Sequence, residues 1–480
     1  MVWRPLWAGL PALVLAYVWL GLEGAVAVLL GAVSVALPCR LAVARVNSSD
    51  GGADTAHSRD AAERLLAARA GQGTSTACLV LSLEIGTGRC RLDPSDCTRH
   101  LSLAIGEGDR LFHLAYDRWA LVPGPERRTT PEAMSALARQ LQSALQGALS
   151  GASVPSGPNL AVGFCLSGQV AGKTGASLLA AAEAAAEAAR RGGPLAVCAY
   201  SSEIATLCQK RALLRDGIAK AFDADEIIGF FQPQLCTDTG NVTGFEILAR
   251  WRHPDNGLLP PADFLDLVRE AGLSGRLSET MVLQAMTALK AWDRAGHCVP
   301  TVAVNFSADD LRDPNLCQRL LRQFDRFELS PARLTVEVLE SVIAGQECER
   351  IVQTISRLAQ AGCGIDLDDF GTGHSSIASI RRFPAKRLKI DRSFVTRVDR
   401  DVRQQRMIAA ILAMAERLDL QTLAEGVETA GEHEVLAQLG FNHVQGYSIA
   451  PPMPFDETTG WLDRHRAKLG MVQMIGRRVG

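Results

Sequence analysis

From residue 226 onward, short apolar runs recur, and most of them end in a polar residue. They cover residues 227–231, 242–248, 301–305, 334–339, 363–367, 387–390, 421–424 and 443–447. Runs this short, bounded by turn residues, predict buried strands. Amphipathic helical stretches separate most of them. Eight strands over ~240 residues fit a (β/α)8 barrel, in which catalytic residues sit at strand ends. A doubly wound open sheet is the alternative.

The polar residues fall in register with these runs. Glu246 is late in the second and Asn305 ends the third. Glu337 and Glu340 close the fourth, Asp368 and Asp369 the fifth, Lys389 and Asp391 the sixth. Glu425 ends the seventh, followed by Gly426 and Glu428, and Gln445 lies in the eighth. A parallel barrel brings such ends to one rim. Several carboxylates in one partly dry mouth repel each other, and bound cations offset that cost. The donors are all oxygens, with no His or Cys among them, which points to Mg²⁺ or Mn²⁺ and not zinc. The neighbouring Asp368 and Asp369 suggest a bridged pair of ions. Paired metals ~3.5–4 Å apart suit phosphodiester displacement. Arg250, four residues after Glu246 on the same strand face, is a candidate phosphate clamp.

The remaining chain is less informative about chemistry. Its 480 residues carry a formal charge of −2, which gives no sign of a nucleic-acid polymer as partner. The 12 cysteines contain no C-x-x-C pair, which disfavours zinc. Residues 6–39 are almost wholly apolar and are long enough for two short membrane spans, 6–22 and 24–39, turning at Glu23. Arg4, Arg40 and Arg45 flank the pair and place both ends in the cytoplasm. A cleaved signal peptide is the competing reading. The segments are then a membrane hairpin over 1–45, a linker and helix over 46–75, and an α/β domain over 76–200. A connecting helix over 201–225, the barrel over 226–465 and a tail over 466–480 complete the chain. Within 76–200, strands are expected at 77–83, 110–114, 119–122, 160–166 and 195–200, and helices at 131–149 and 176–191. This is an α/β sandwich pattern. Gly168-Gln-Val-Ala-Gly-Lys-Thr174 has three residues between its glycines where a P-loop has four, so no phosphate cradle is read there.

Two resemblances follow. Gly108-Asp-Arg-Leu-Phe-His-Leu-Ala-Tyr-Asp-Arg-Trp-Ala-Leu-Val122 resembles the diguanylate cyclase (GGDEF) domain. Its signature position reads Ala115-Tyr-Asp-Arg-Trp119, with both glycines gone and Arg118 in place of an acid. The family's RxxD motif would end at Asp109, but Gly106 stands in the arginine position. The resemblance implies a degenerate module without cyclase activity. Phe231-Gln-Pro, Glu246-Ile-Leu-Ala-Arg-Trp-Arg-His-Pro254, Val304-Asn-Phe-Ser, Glu337-Val-Leu-Glu340, Asp368-Asp-Phe-Gly-Thr-Gly373, Leu388-Lys-Ile-Asp391, Ala424-Glu-Gly-Val-Glu428 and Gln445-Gly-Tyr447 resemble the EAL family of cyclic-di-GMP phosphodiesterases.

That resemblance implies hydrolysis of cyclic-di-GMP to linear pGpG by a protein paired through its barrel, and the apolar segment 6–39 would hold it on the bacterial cytoplasmic membrane. It implies metal binding by Glu246, Asn305, Glu337 and Asp368, with Asp368 bridging to a second ion beside Asp369. Lys389 would orient the attacking water, Glu425 would bind or activate water, and Gln445 would position that network. Glu340 would hold the loop after Asp369. Gln232, Arg250 and Asp391 would meet the substrate. A catalytically silent receptor for the same nucleotide is the alternative. The chain departs from the family pattern at Ile247, Leu339 and His374, and none of these removes a ligand.

Overall fold

The computed structural model describes residues 55–477 apart from 73–74, 85–93, 150–158, 171, 173, 194, 344–347 and 372–382. The spans expected at 6–22 and 24–39, and His374, lie outside the described residues. Among the described residues no helix is long and apolar enough to cross a membrane. The chain divides after Lys210 into two units.

The first unit is built on five strands, β1 (Ala77–Glu84), β2 (Arg110–Ala115), β3 (Arg118–Val122), β4 (Asn159–Leu166) and β5 (Val197–Ala199). They form one sheet in the order β2-β3-β1-β4-β5. β1 pairs antiparallel with β3 and β4 and is buried on both faces. Alternation sends Leu79 and Leu81 into one apolar cluster and Cys78 and Val80 into another. Helices Pro94–Ala104 and Pro131–Leu149 supply Leu101, Leu137 and Leu141 to the first cluster. Helices Thr55–Gly71 and Gly175–Arg191 supply Leu66, Leu178 and Ala182 to the second. Helices therefore pack on both faces of the sheet. Helix Pro94–Ala104 adds to the two expected helices, and β5 is shorter than the run expected at 195–200. The Ala-rich helix lies so close to β4 that a Cβ on Gly163 would fall 1.8 Å from the Ala186 nitrogen. Thr174 caps that helix, its Oγ1 accepting from the Ser177 amide at 3.1 Å. That gives the end of the 168–174 stretch a helix-capping role.

In the second unit, eight strands close a barrel. They are β6 (Ile227–Cys236), β7 (Val242–His253), β9 (Val302–Asn305), β10 (Leu334–Leu339), β11 (Gly364–Phe370), β12 (Arg387–Ile390), β13 (Gln421–Ala424) and β14 (His443–Val444). They pair in chain order, and β6 bonds both β14 and β7 to complete the ring. Two short strands, Gly257–Leu259 (β8) and Met453–Pro454 (β15), extend the sheet beside β7 and β6.

The expectation of a fully parallel barrel needs correction, because β6 runs antiparallel to both neighbours. Residues 237–241 between β6 and β7 are too few for a parallel crossover, which needs about a dozen or more. They form a tight turn with Gly240 at φ +67°. The remaining strands run parallel, and helices such as Ser274–Arg294 and Cys348–Gln360 cover them. The core includes Phe245, Trp251, Phe264 and Trp292, all buried. Leu214, Ile218 and Phe222 of helix Ser202–Asp223 join it. The final helix, Phe455–Arg477, runs through the boundary expected at residue 465.

Ile247, the departure beside Glu246, is buried and seated over a glycine. A Cβ on Gly229 would stand 2.4 Å from Ile247 Cδ1. The space for the larger side chain is made across the strand pair.

Candidate active site

Lys389 is the centre of the barrel mouth. It is 0% exposed, and its Nζ lies 2.7 Å from Glu425 Oε1 and 2.8 Å from Glu337 Oε1. Asp368 Oδ1 is at 3.0 Å and Glu246 Oε2 at 3.5 Å. Each comes from a different strand or the residue just after one, so the barrel brings together residues separated by up to ~180 positions in sequence. Burial disfavours the ammonium, but Asp368, Glu246, Glu337 and Glu425 outweigh it and hold Lys389 well above its ordinary value. Burial, reinforced by Glu246, holds the Glu337 carboxyl well above the carboxylate range. Burial also pushes Glu425 up to about 8 against the pull of Lys389. Glu246 moves the other way. Burial raises it, but Lys389 and hydrogen bonds from Gln445 and Asn305 bring it below its usual value.

Asn305 Nδ2 donates to Glu246 Oε1 at 3.0 Å and to Glu337 Oε2 at 3.1 Å. Gln445, just past β14, donates to Glu246 Oε2 at 2.7 Å and to Gln232 Oε1 at 3.0 Å.

Asp368 and Asp369 meet the pocket together for a local reason. Neighbouring strand residues normally point to opposite faces. Here the β11–β12 register shifts between Leu367 and Phe370, and Asp369 takes φ +54°. A bulge of this kind re-aims a side chain. Burial and the adjacent Asp368 raise the Asp369 carboxyl. The turn that follows is tied down by Glu340, whose Oε2 accepts from the Gly371 amide at 2.9 Å. Gly371 sits at φ +101°, and a Cβ there would lie 2.4 Å from the Phe394 ring.

A pocket of about 320 Å³ opens above these groups. Gln232, Glu246, Asp368, Asp369, Glu425 and Gln445 line it. Arg392, Glu428 and Tyr447, to which the sequence alone assigned no role, line it too. Arg392 Nη2 and Glu428 Oε1 pair at 2.7 Å on its rim. Their signal in the sequence was adjacency to the strand-end residues Asp391, Glu425 and Gln445. Lys389, Asn305 and Glu337 are not among the lining residues. Arg250 is not among them either. It is half-buried, with its guanidinium 5.4 Å from the centroid of the Phe230 ring. Asp391 accepts from the Ser393 amide at 2.9 Å as the cap of helix Arg392–Val395.

The donor set suits a hard divalent cation. Asp368, Asp369 and Glu425 offer carboxylate oxygens within 4.8 Å of one another. Buried Glu337 Oε1 has no well-directed hydrogen bond among the described residues, only the charge of Lys389. An acidic mouth balanced by one buried ammonium on a closed barrel has the charge pattern that metal-assisted phosphate-ester chemistry would use.

The comparisons with known proteins agree with that class. Residues 215–452 match the EAL domain model, and that segment of the chain is an EAL domain. Over 286 residues it is 33% identical to the bifunctional diguanylate cyclase/cyclic di-GMP phosphodiesterase MucR of Pseudomonas aeruginosa, covering 60% of this chain and 42% of that protein. Over 373 residues it is 30% identical to the cyclic di-GMP phosphodiesterase PdeR of Escherichia coli K12, covering 76% and 55%. The chain thus spans 42% and 55% of the length of these curated relatives. Among solved structures, the c-di-GMP complex of the PaMucR phosphodiesterase is 34% identical, with 51% of this chain and 99% of that chain covered and a TM-score of 0.49. The EAL enzyme Bd1971 with cAMP and cyclic-di-GMP is 18% identical, covering 81% and 95% with a TM-score of 0.51. That second likeness concerns fold alone.

Proposed function

We propose that this chain hydrolyses cyclic-di-GMP to linear pGpG in a reaction that depends on Mg²⁺ or Mn²⁺. The observation that carries the reading is the convergence of Glu246, Glu337, Asp368 and Glu425 on Lys389 beneath an open pocket. Asp368, Asp369 and Glu425 would hold cations together with Glu246, Asn305 and Glu337. When bound, the ions supply Lewis-acid stabilisation of charge on the phosphoryl oxygens. Lys389 fixes the carboxylates in place and brings a desolvated positive charge to the floor where negative charge develops. Gln232, Arg392 and Tyr447 on the pocket wall are placed to orient the nucleotide. Glu340 holds the turn after Asp369.

Residues 76–200 act in this reading as a GGDEF-like module without cyclase activity. Residues 6–39 attach the chain to the bacterial cytoplasmic membrane, and the barrel pairs with a second copy.

The test is incubation of the full chain with cyclic-di-GMP and Mn²⁺ or Mg²⁺. The expected result is pGpG, lost with a chelator and restored by either ion. A wild-type chain producing no more pGpG than a Glu246→Ala control overturns the proposal.

A further inference from the structure

Beneath the acidic mouth lies a second polar layer, and its donors and acceptors are arranged in one direction. Arg387, on the same face of β12 as Lys389, is buried and paired with Asp366, its Nε 2.7 Å from Asp366 Oδ2. Its Nη2 also donates to Gln234 Oε1 at 2.8 Å. Gln234, 0% exposed, passes on a donor, with Nε2 2.9 Å from Gln445 Oε1. Gln445 then donates through Nε2 to Glu246 and to Gln232 Oε1. Gln232 ends the chain by donating to the Ala450 carbonyl at 3.1 Å.

The direction is set by chemistry at the fixed ends. A guanidinium has donors only, while a carboxylate and a backbone carbonyl have acceptors only. Arg387 therefore requires the oxygen of Gln234 to face it. That places the Gln234 NH₂ against Gln445, which must present its oxygen there and its NH₂ to Glu246. Ala450 fixes Gln232 in the matching sense from the other side. Reversing any one amide sets acceptor against acceptor or donor against donor at two or more contacts. At Gln234, which has no exposed surface, no bulk water reaches the mismatch to repair it.

We propose that Arg387 and Gln234 are positioning residues for the metal-ligating mouth, acting through the Gln445 amide to orient Glu246. This inference rests on the metal-dependent reading above only in taking Glu246 as part of the ligand set. Neither residue touches the pocket.

Gln234→Glu tests it with an isosteric change. The carboxylate that this substitution introduces still accepts from Arg387 and strengthens that pairing. It also presents an acceptor to Gln445, which must turn its NH₂ downward and its oxygen toward Glu246. The expected result is a loss of about 10–100-fold in Mn²⁺ affinity by calorimetry and in turnover. The melting temperature stays at or above wild type. Gln234→Met breaks the link without forcing the reversal. It is expected to lose less metal affinity than Gln234→Glu while melting lower, because Gln445 Oε1 and Arg387 each lose a partner. A merely structural role gives the same order in both measurements. Unchanged Mn²⁺ affinity and turnover in Gln234→Glu overturn the proposal. So does a crystal structure of that variant, with or without metal, in which Gln445 Nε2 still donates to Glu246. A wild type that binds Mn²⁺ but leaves cyclic-di-GMP intact overturns the phosphodiesterase reading alone, since the affinity ratio and the crystal structure still judge the relay.

Discussion

Both units bury charge, and they do so to opposite ends. In the sandwich, Asp109 is buried and its acceptors are filled. The Gly124 amide donates to Oδ1 at 2.7 Å, the Gly106 amide to Oδ2 at 2.8 Å, and Arg127 Nη2 pairs with Oδ2 at 2.9 Å. The carboxylate pins two turns and has nothing left to offer a ligand. In the barrel, four carboxylates share one ammonium, Glu337 Oε1 lacks a directed hydrogen bond from the described residues, and a pocket opens over the group. Burial alone does not mark a working site. Several carboxylates sharing one cation beneath open space do.

The sharpest way to break this contrast is Lys389→Met. With the ammonium gone, the clustered carboxylates are uncompensated, and the metal-free chain is expected to lose about 3–5 kcal/mol. Added Mn²⁺ should recover part of that loss in thermal denaturation, whereas hydrolysis stays abolished. Recovery without metal would mean that the carboxylates are already neutral.

Asp109→Ala probes the other side. It strips charged hydrogen bonds from two backbone amides and Arg127, at a cost of about 1.5–3 kcal/mol each at most. Limited proteolysis should report a loosened sandwich, while barrel turnover in the intact chain holds. A fall in metal affinity would erase the distinction between the two units.

How much of this could be read in the sequence depends on what each residue's neighbours disclosed. Glu246, Asn305, Glu337, Asp368, Lys389 and Glu425 were visible because each interrupts an apolar run at its end. The direction of β6 was not, since a period of two is the same in parallel and antiparallel strands. The Thr-Asp-Thr-Gly-Asn turn at 237–241 was the available clue. Gln234, Asp366 and Arg387 were missed for a related reason. A polar residue alternating with apolar ones reads as a solvent-facing position, and only barrel closure turns that face inward. The paired carboxylates at 368 and 369 depended on a bulge, which no local propensity signalled.

Glu340→Ala asks a smaller question about the rim. It removes the charged acceptor of the Gly371 amide and is expected to cost about 1.5–3 kcal/mol of local order. Hydrogen exchange should rise at the Gly371 amide with little change in the melting point. Turnover should drop more than metal affinity.

His443 gives the mildest expected effect. Burial, aided by Arg387, lowers its imidazole to about 4 in the folded chain. The unfolded chain takes up that proton near its ordinary ~6.5. Between those values the unfolded state binds more protons, so stability falls as the pH drops from the upper value through the lower. His443→Gln should flatten that slope in urea titrations across the window, leaving stability well above it nearly unchanged.

The antiparallel first strand has a mechanical consequence. In an all-parallel barrel the chain would enter at the floor, far from the chemistry. Here Ile228 pairs with Arg250 before Gln232 pairs with Glu246. The polypeptide arriving from helix Ser202–Asp223 is threaded in at the rim that carries the carboxylates. The segment that enters the barrel is therefore within a few residues of Gln232 at the mouth, and far from the base.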